Sequence, residues 1–426
     1  MLPFFALLPL QWLALAETPL GQARLHKVAI LGLAALIIAH YPLRRYAPTL
    51  RTSAVFVVAN LYLVAMIAAV QAYTGRPLQS SADPFLYLLA FIALSALFFR
   101  IAAGYEPAAL RMLRYAPLIL CTSLILGFSI AMALNGVNPA GVFGQAIATA
   151  DPELFQKEIF KSAFAGFGID EEDVRGNLRH EIFGSVLLSM FVGSWAIREG
   201  TQPTRSHHRA YRVGMLLGVL LLTLSLSRAI LIAAMVWPVL AMLRSVRRGE
   251  LRPSQIAIIY GTVVGLGGLL ASGFGLVIYN RFFTDTTGYE GRAGNYLDAF
   301  NALPDVWVTG GYETGGVSSH NFVFDTLLRN GIFAALPAAI VLGSLLFFFV
   351  ALVVRLPRLS ASMVPVVAAL VPPLVRIATS GGGLIPPIEW VALAFVVGVL
   401  AAGRRQQRET VSGTRSSPGD MASNVG

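Results

Sequence analysis

Three regions in the C-terminal half of the sequence hold residues suited to chemistry on a phosphate. Arg228 stands in Thr223-Leu-Ser-Leu-Ser227-Arg-Ala-Ile-Leu231, a hydroxyl-rich joint between two apolar runs with almost no loop. A guanidinium there either snorkels to lipid headgroups or clamps an anion, because its planar donors match phosphate oxygens bidentately. Arg292 lies in Gly288-Tyr-Glu-Gly291-Arg-Ala-Gly294, where the glycines would let backbone and ligand approach closely. Arg281 opens the same polar segment directly after an apolar run and suits a headgroup anchor as well as a ligand contact.

His320 supplies a proton acceptor. It precedes a short amphipathic segment, Asn321 to Arg329, in which Phe322, Val323, Leu327 and Leu328 are apolar and Asp325 and Arg329 stand at i,i+4 spacing. Ser318 or Ser319 is expected to cap this segment and Asn330-Gly331 to end it. His320 then falls in the first turn, where the positive end of the helix dipole favours the neutral imidazole. Asn321 is expected to support the site, as is Arg376, placed near the end of an apolar run with its side chain toward a cavity. His207 and His208 sit in a basic stretch and are expected to be solvated. Neither Asp-x-Asp, His-Glu-x-x-His nor a serine-nucleophile motif occurs, and Gly310 to Gly316 lacks the strand-to-helix context of a nucleotide loop. No metal and no cofactor is expected, although Asp285, Glu290, Asp298 and Glu313 are acids that a metal would use.

The elements that must position these residues are apolar helices. Of 426 residues, 56% are hydrophobic and only 13% charged. Apolar runs repeatedly approach the roughly 17 to 25 residues that cross a bilayer as helix. The expected fold is an all-α polytopic integral membrane protein with about twelve transmembrane helices. Their expected spans are 2–16, 27–42, 54–73, 84–103, 116–136, 181–197, 213–227, 229–243, 255–279, 331–354, 362–379 and 388–402. Together they form one domain, 1–402, including a polar loop at 280–330 that holds short helices. The tail 403–426, rich in Gln, Arg, Ser and Gly, is expected to be disordered. The net charge of +10 lies in short clusters between apolar runs, which sets membrane orientation and does not suit nucleic acid. Arg44, Arg45, Arg100, Arg111, Arg114, Arg205, Arg244, Arg248, Arg355 and Arg404 occupy alternate loops, so both termini are expected in the cytoplasm and the 137–180 and 280–330 segments outside. The lone Cys121 permits no intramolecular disulfide. Residues 105–114 look like an interfacial helix on the cytoplasmic side.

The order Ser227-Arg228 between two spans, Gly291-Arg292 in a large external loop, and His320-Asn321 followed by Gly331 resembles the bacterial O-antigen ligase and polymerase superfamily. The resemblance covers residues 180–355 by motif and the whole chain by topology. It implies transfer of O-antigen polysaccharide from undecaprenyl diphosphate to a sugar hydroxyl of lipid A-core, with inversion, without metal, at the periplasmic face of the bacterial inner membrane. Donor, acceptor and membrane lipids would be the partners. Arg228 and Arg292 would bind the diphosphate, with Arg281 the other match for the family's later arginine, and His320 would be the catalytic base or orient the acceptor. An O-antigen or exopolysaccharide polymerase shares the donor, and a protein O-oligosaccharyltransferase is a third member type. A transporter, from a different class, predicts broken helices or paired ionisable groups within the membrane.

Overall fold

The computed structural model describes residues 14–18, 21–75, 79–134, 136–151, 154, 179–200, 202–225, 227–250, 260, 277, 279–280, 287–311, 321–379 and 387–415. Apart from a hairpin of β1 (Ala14–Thr18) and β2 (Gly21–Arg24), its elements are helices. In chain order they are α1 (Leu25–His40), α2 (Ala47–Thr74), α3 (Gln79–Ala102), α4 (Pro107–Leu113), α5 (Ala116–Leu134), α6 (Pro139–Thr149) and α7 (Arg179–Ala196). There follow α8 (Arg205–Leu224), α9 (Arg228–Arg248), α10 (Thr287–Val306), α11 (Phe322–Arg355), α12 (Met363–Ala368), α13 (Val371–Thr379) and α14 (Pro387–Arg415).

Among the described residues five helices are long and apolar enough to cross a membrane: α2, α3 from Asp83, α5, α9 from Ala229, and α11. Shorter apolar helices cover Val28–His40, Ile182–Ala196 and the stretch Met363–Ile377. Only 28% of the most apolar stretch of α9 and of α11 is buried, so their outer faces carry exposed Ile232, Met235, Val239, Leu336, Ile340 and Phe347. So much exposed apolar surface suits lipid and not water, which marks the protein as membrane-associated.

The centre is α7. Every residue from Ile182 to Ala196 is buried, because the helix alternates large apolar residues with Ser185 and Ser189, whose hydroxyls bond within the helix, and Ser194, whose hydroxyl meets Tyr211 Oη of α8 at 2.7 Å. Ser185 donates to Ile182 O at 2.6 Å and Ser189 to Val186 O at 2.7 Å. A helix apolar on all sides belongs in the middle of a bundle. Around it, Phe56, Phe91 and Trp390 meet with ring centroids 5.2 to 5.9 Å apart and tie α2, α3 and α14 together. Gly398 lets α14 lie close on α3: a Cβ there would stand 2.6 Å from Phe98 Cβ and 2.7 Å from the Phe99 nitrogen. Small residues serve this purpose in tightly packed membrane helices.

Four expectations change. The first expected span lies mostly outside the described residues, and its end, from Ala14, is a strand and not helix. Its short run breaks at Pro19 and Gly21, which suits a turn. The expected 362–379 span is two short helices, since Pro372 and Pro373 lack the N–H groups that a continuous helix would require. The tail is not disordered from Gly403: α14 runs on to Arg415, because Arg, Gln and Glu are good helix formers and add to a helix already nucleated by burial. His207 is not solvated. It is 8% exposed, forms a capping box with Thr204, and lies 5.1 Å from the Tyr115 ring. The interfacial segment 105–114 does contain a helix, α4. The expected 255–279 span lies almost wholly outside the described residues.

Candidate functional site

The starts of α7, α9 and α14 come together with α13 around a shallow cleft that opens to the surface. Its walls include Gly184 and Leu188 of α7, Ala229 and Ile230 of α9, Arg376 of α13, and Glu389 of α14. The local sequence explains each wall. The joint between α8 and α9 is tight because Ser225 Oγ donates to Leu222 O at 2.6 Å and accepts from the Ser227 nitrogen at 3.2 Å. Ser227, extended at φ −84° and ψ 111°, then starts α9 at Arg228. The proline break ahead of α13 turns that short helix so that it touches α9, α11 and α14, and Arg376 in its last turn faces the cleft.

Glu389 is 5% exposed in the first turn of α14, where the helix dipole favours an anion. The sequence shows an acid two residues after Pro387 inside an apolar run, and a carboxylate so placed must be partnered or functional. It was missed because it stands at the very start of the expected span. Arg376 and Glu389 place one basic and one acidic group on the same cavity.

A second constellation lies where α10 meets α11. Asn321 is the N-cap of α11, its side-chain oxygen accepting from the Val323 and Phe324 nitrogens at 3.1 Å each. The cap is therefore Asn321 and not Ser318 or Ser319, and position 320 precedes the helix and does not belong to its first turn. An Asn carbonyl reaches the N2 and N3 donors without strain, which makes it as good a cap as Ser. Gly331 breaks α11 as expected, with φ 74° and ψ −179°. There the turn after α10 docks onto it: Ile332 N donates to Trp307 O at 2.8 Å, and Gly311 N to Arg329 O at 3.2 Å. A Cβ on Gly331 would overlap Val308 O. Tyr296 stacks on Phe324 with centroids 6.2 Å apart, so α10 runs beside the first part of α11 in the same direction. Asp325, expected on a polar face, is 2% exposed in the first turn.

The polar 280–330 segment thus contains a 20-residue helix, and the glycines at 288, 291 and 294 lie within it and not in a loop. Arg292 is on that helix, and by helical spacing its position shares the row of Tyr296, Ala299 and Leu303. The side chains of Arg228 and Arg292 lie outside the described residues, as do Arg281 and His320 altogether. The helix α13, which carries Arg376, packs on both α9 and α11. The 137–180 segment is tied in as well, since Asn280 Nδ2 donates to Ala150 O at 3.0 Å. Among the described residues no three His, Cys, Asp or Glu side chains gather as a metal site. Asp298 is exposed on α10.

No protein-family model matches the chain, and no curated protein matches it.

The arrangement has definite chemical capacities. Nitrogens in the first turn of α9 lack helical acceptors and lie at a positive helix end, an environment favourable to an anion. Arg376 adds a guanidinium to the same cavity, and Glu389 a group able to hold hydroxyls.

Proposed function

We propose that the protein is a membrane glycosyltransferase of the O-antigen ligase type, moving a polysaccharide from undecaprenyl diphosphate to a sugar hydroxyl of lipid A-core at the periplasmic face of the inner membrane. The observation that carries this reading is the cleft in which the start of α9, immediately after Arg228, meets Arg376. A diphosphate would need donors converging in this way, with the apolar walls facing the lipid side of the carrier.

In the reaction the acceptor oxygen forms a bond to the anomeric carbon while the bond from that carbon to the phosphate oxygen breaks. The electron pair leaves with undecaprenyl diphosphate, and the hydroxyl proton passes to His320 acting as the base. Arg228, Arg292 or Arg281, and Arg376 would hold the charge that grows on the leaving group, a stabilisation that acts most strongly in the transition state. Attack from the opposite face inverts the anomeric centre. Asn321 acts on His320 by fixing the start of α11 directly after it.

A second reading has its own observation. The broken helix α12–α13 and the shared cleft of Arg376 and Glu389 are features of a transport path for a lipid-linked anion.

Reconstituted protein, lipid-linked O-antigen and lipid A-core incubated with EDTA would separate these readings on a gel. Transfer to lipid A-core, slowed about 10²–10⁴-fold in His320→Ala, is the expected result. Lengthening of the lipid-linked glycan alone would indicate a polymerase. No product, with movement of the donor across vesicle membranes, would replace transfer by transport.

A further inference from the structure

We infer that α10 is a membrane-surface helix, lying in the headgroup region with one face sunk into the lipid. Its described residues divide into three faces. Ala299, Ala302, Leu303 and Val306 turn toward the protein and are buried or half-buried. Asp298, Asn301 and Asp305 form an exposed polar face. Between these, Leu297 is 64% exposed, Phe300 68% and Trp307 53%, with exposed Pro304 among them. At 100° per residue these four fall within about one quarter-turn.

Large apolar residues exposed on one face beside an acidic face are costly in water and natural at a bilayer surface. Continuity with the neighbouring helix selects lipid as the occupant. Trp307 O accepts from Ile332 N at 2.8 Å, which joins the end of α10 to the point where α11 resumes after Gly331. From that point the exposed apolar face continues as Phe333, Leu336, Ile340 and Phe347, on a helix apolar and long enough to cross a membrane. The stripe on α10 therefore extends a lipid-facing surface without interruption. Trp307 and Tyr296 have the ring-plus-polar-edge character that collects at membrane interfaces. The break at Gly331 has a corresponding role: it lets the chain change direction from the part of α11 beside α10 to the part that crosses the bilayer. The inference is independent of the transfer reaction and stands or falls separately from it.

Single-cysteine labelling tests it, because the only native cysteine, Cys121, is fully buried. Leu297→Cys, Asp298→Cys, Phe300→Cys and Asn301→Cys would each be labelled with an environment-sensitive fluorophore in phosphatidylethanolamine–phosphatidylglycerol vesicles. All four sites are exposed, so the substitutions leave the packing intact, and size-exclusion elution checks each protein. The expected pattern is a blue-shifted probe quenched by spin-labelled lipid at 297 and 300, against a probe quenched by aqueous iodide at 298 and 301. Iodide quenching at all four positions would overturn the proposal. Shielding from both quenchers at 297 and 300, with energy transfer between labelled copies, would overturn it in favour of contact between two chains.

Discussion

Both ends of the helix bundle carry arginines, but they use them differently. At the ends of α7, α9 and α11 the guanidiniums bond to the protein itself. Arg100 donates twice to Glu106 Oε1, at 2.8 and 3.0 Å, and lies over the Tyr41 and Tyr105 rings. Arg114, fully buried, donates to Ala196 O and Glu199 O. Arg244 and Arg248 reach Leu359 O and Pro357 O. These contacts satisfy carbonyls that helix ends leave open. At the other end, about 18 Å away along α7 by helical rise, Arg376 lines an open cleft with Glu389. The same residue type thus ties carbonyls together at one end and lines a cavity beside an acid at the other. Changes at the closed end should alter stability, and changes at the cleft end should alter binding and turnover.

The sharpest break in this contrast is Gly331→Ala, which concerns the junction of α10 with α11. A residue with a Cβ is strained at φ 74°, ψ −179° and would collide with Val308 O. The expected cost is about 1–3 kcal/mol, measured by thermal unfolding in detergent, with transfer falling to background while helical circular dichroism is retained. Arg114→Met tests the opposite end. A buried carbonyl, Ala196 O, and a part-buried one, Glu199 O, lose their donor there, so unfolding should occur about 1–3 kcal/mol more easily, and the turnover of protein that remains folded should match wild type. A turnover loss larger than the loss of folded protein would show that the two ends are not separable.

The smallest effect belongs to His207. Burial holds its imidazole below the ordinary value, with Arg114, Arg111 and His208 adding repulsion. The unfolded chain therefore takes up the proton first as pH falls. Stability from this residue is complete above about pH 6.5 and is lost as pH drops through that value toward the lower folded one. Melting temperature between pH 7.5 and 5.5 should fall more steeply in wild type than in His207→Gln.

Much of this contrast was legible in the sequence. Apolar runs placed five of the described helices to within about five residues at both ends, namely α1, α3, α5, α7 and α9, because hydrophobic length is decided locally. The end of the amphipathic segment at Gly331 was also legible, since Asn-Gly has few other uses in an apolar context. What escaped was decided by tertiary packing. The burial of His207 depends on Tyr115, far away in sequence, and the role of Glu389 depends on three other helices meeting it. The helix over 287–306 was hidden by its three glycines, whose low propensity is overridden by packing of the Tyr296–Ala299–Leu303 row beside α11. The five helices long enough to span a membrane fall short of the twelve expected spans, since several apolar runs form helices shorter than a bilayer requires or lie outside the described residues.

The central claim is that the cleft between α7, α9, α13 and α14 binds a lipid diphosphate through guanidinium groups. Titration of undecaprenyl diphosphate into the purified wild-type, Arg376→Ala and Arg114→Met proteins, followed by native mass spectrometry, tests it directly. Loss of one charge-assisted contact is worth about 1.5–3 kcal/mol, so Arg376→Ala should bind roughly 10- to 150-fold more weakly, with Arg114→Met unchanged. Equal affinity in all three proteins would contradict the claim.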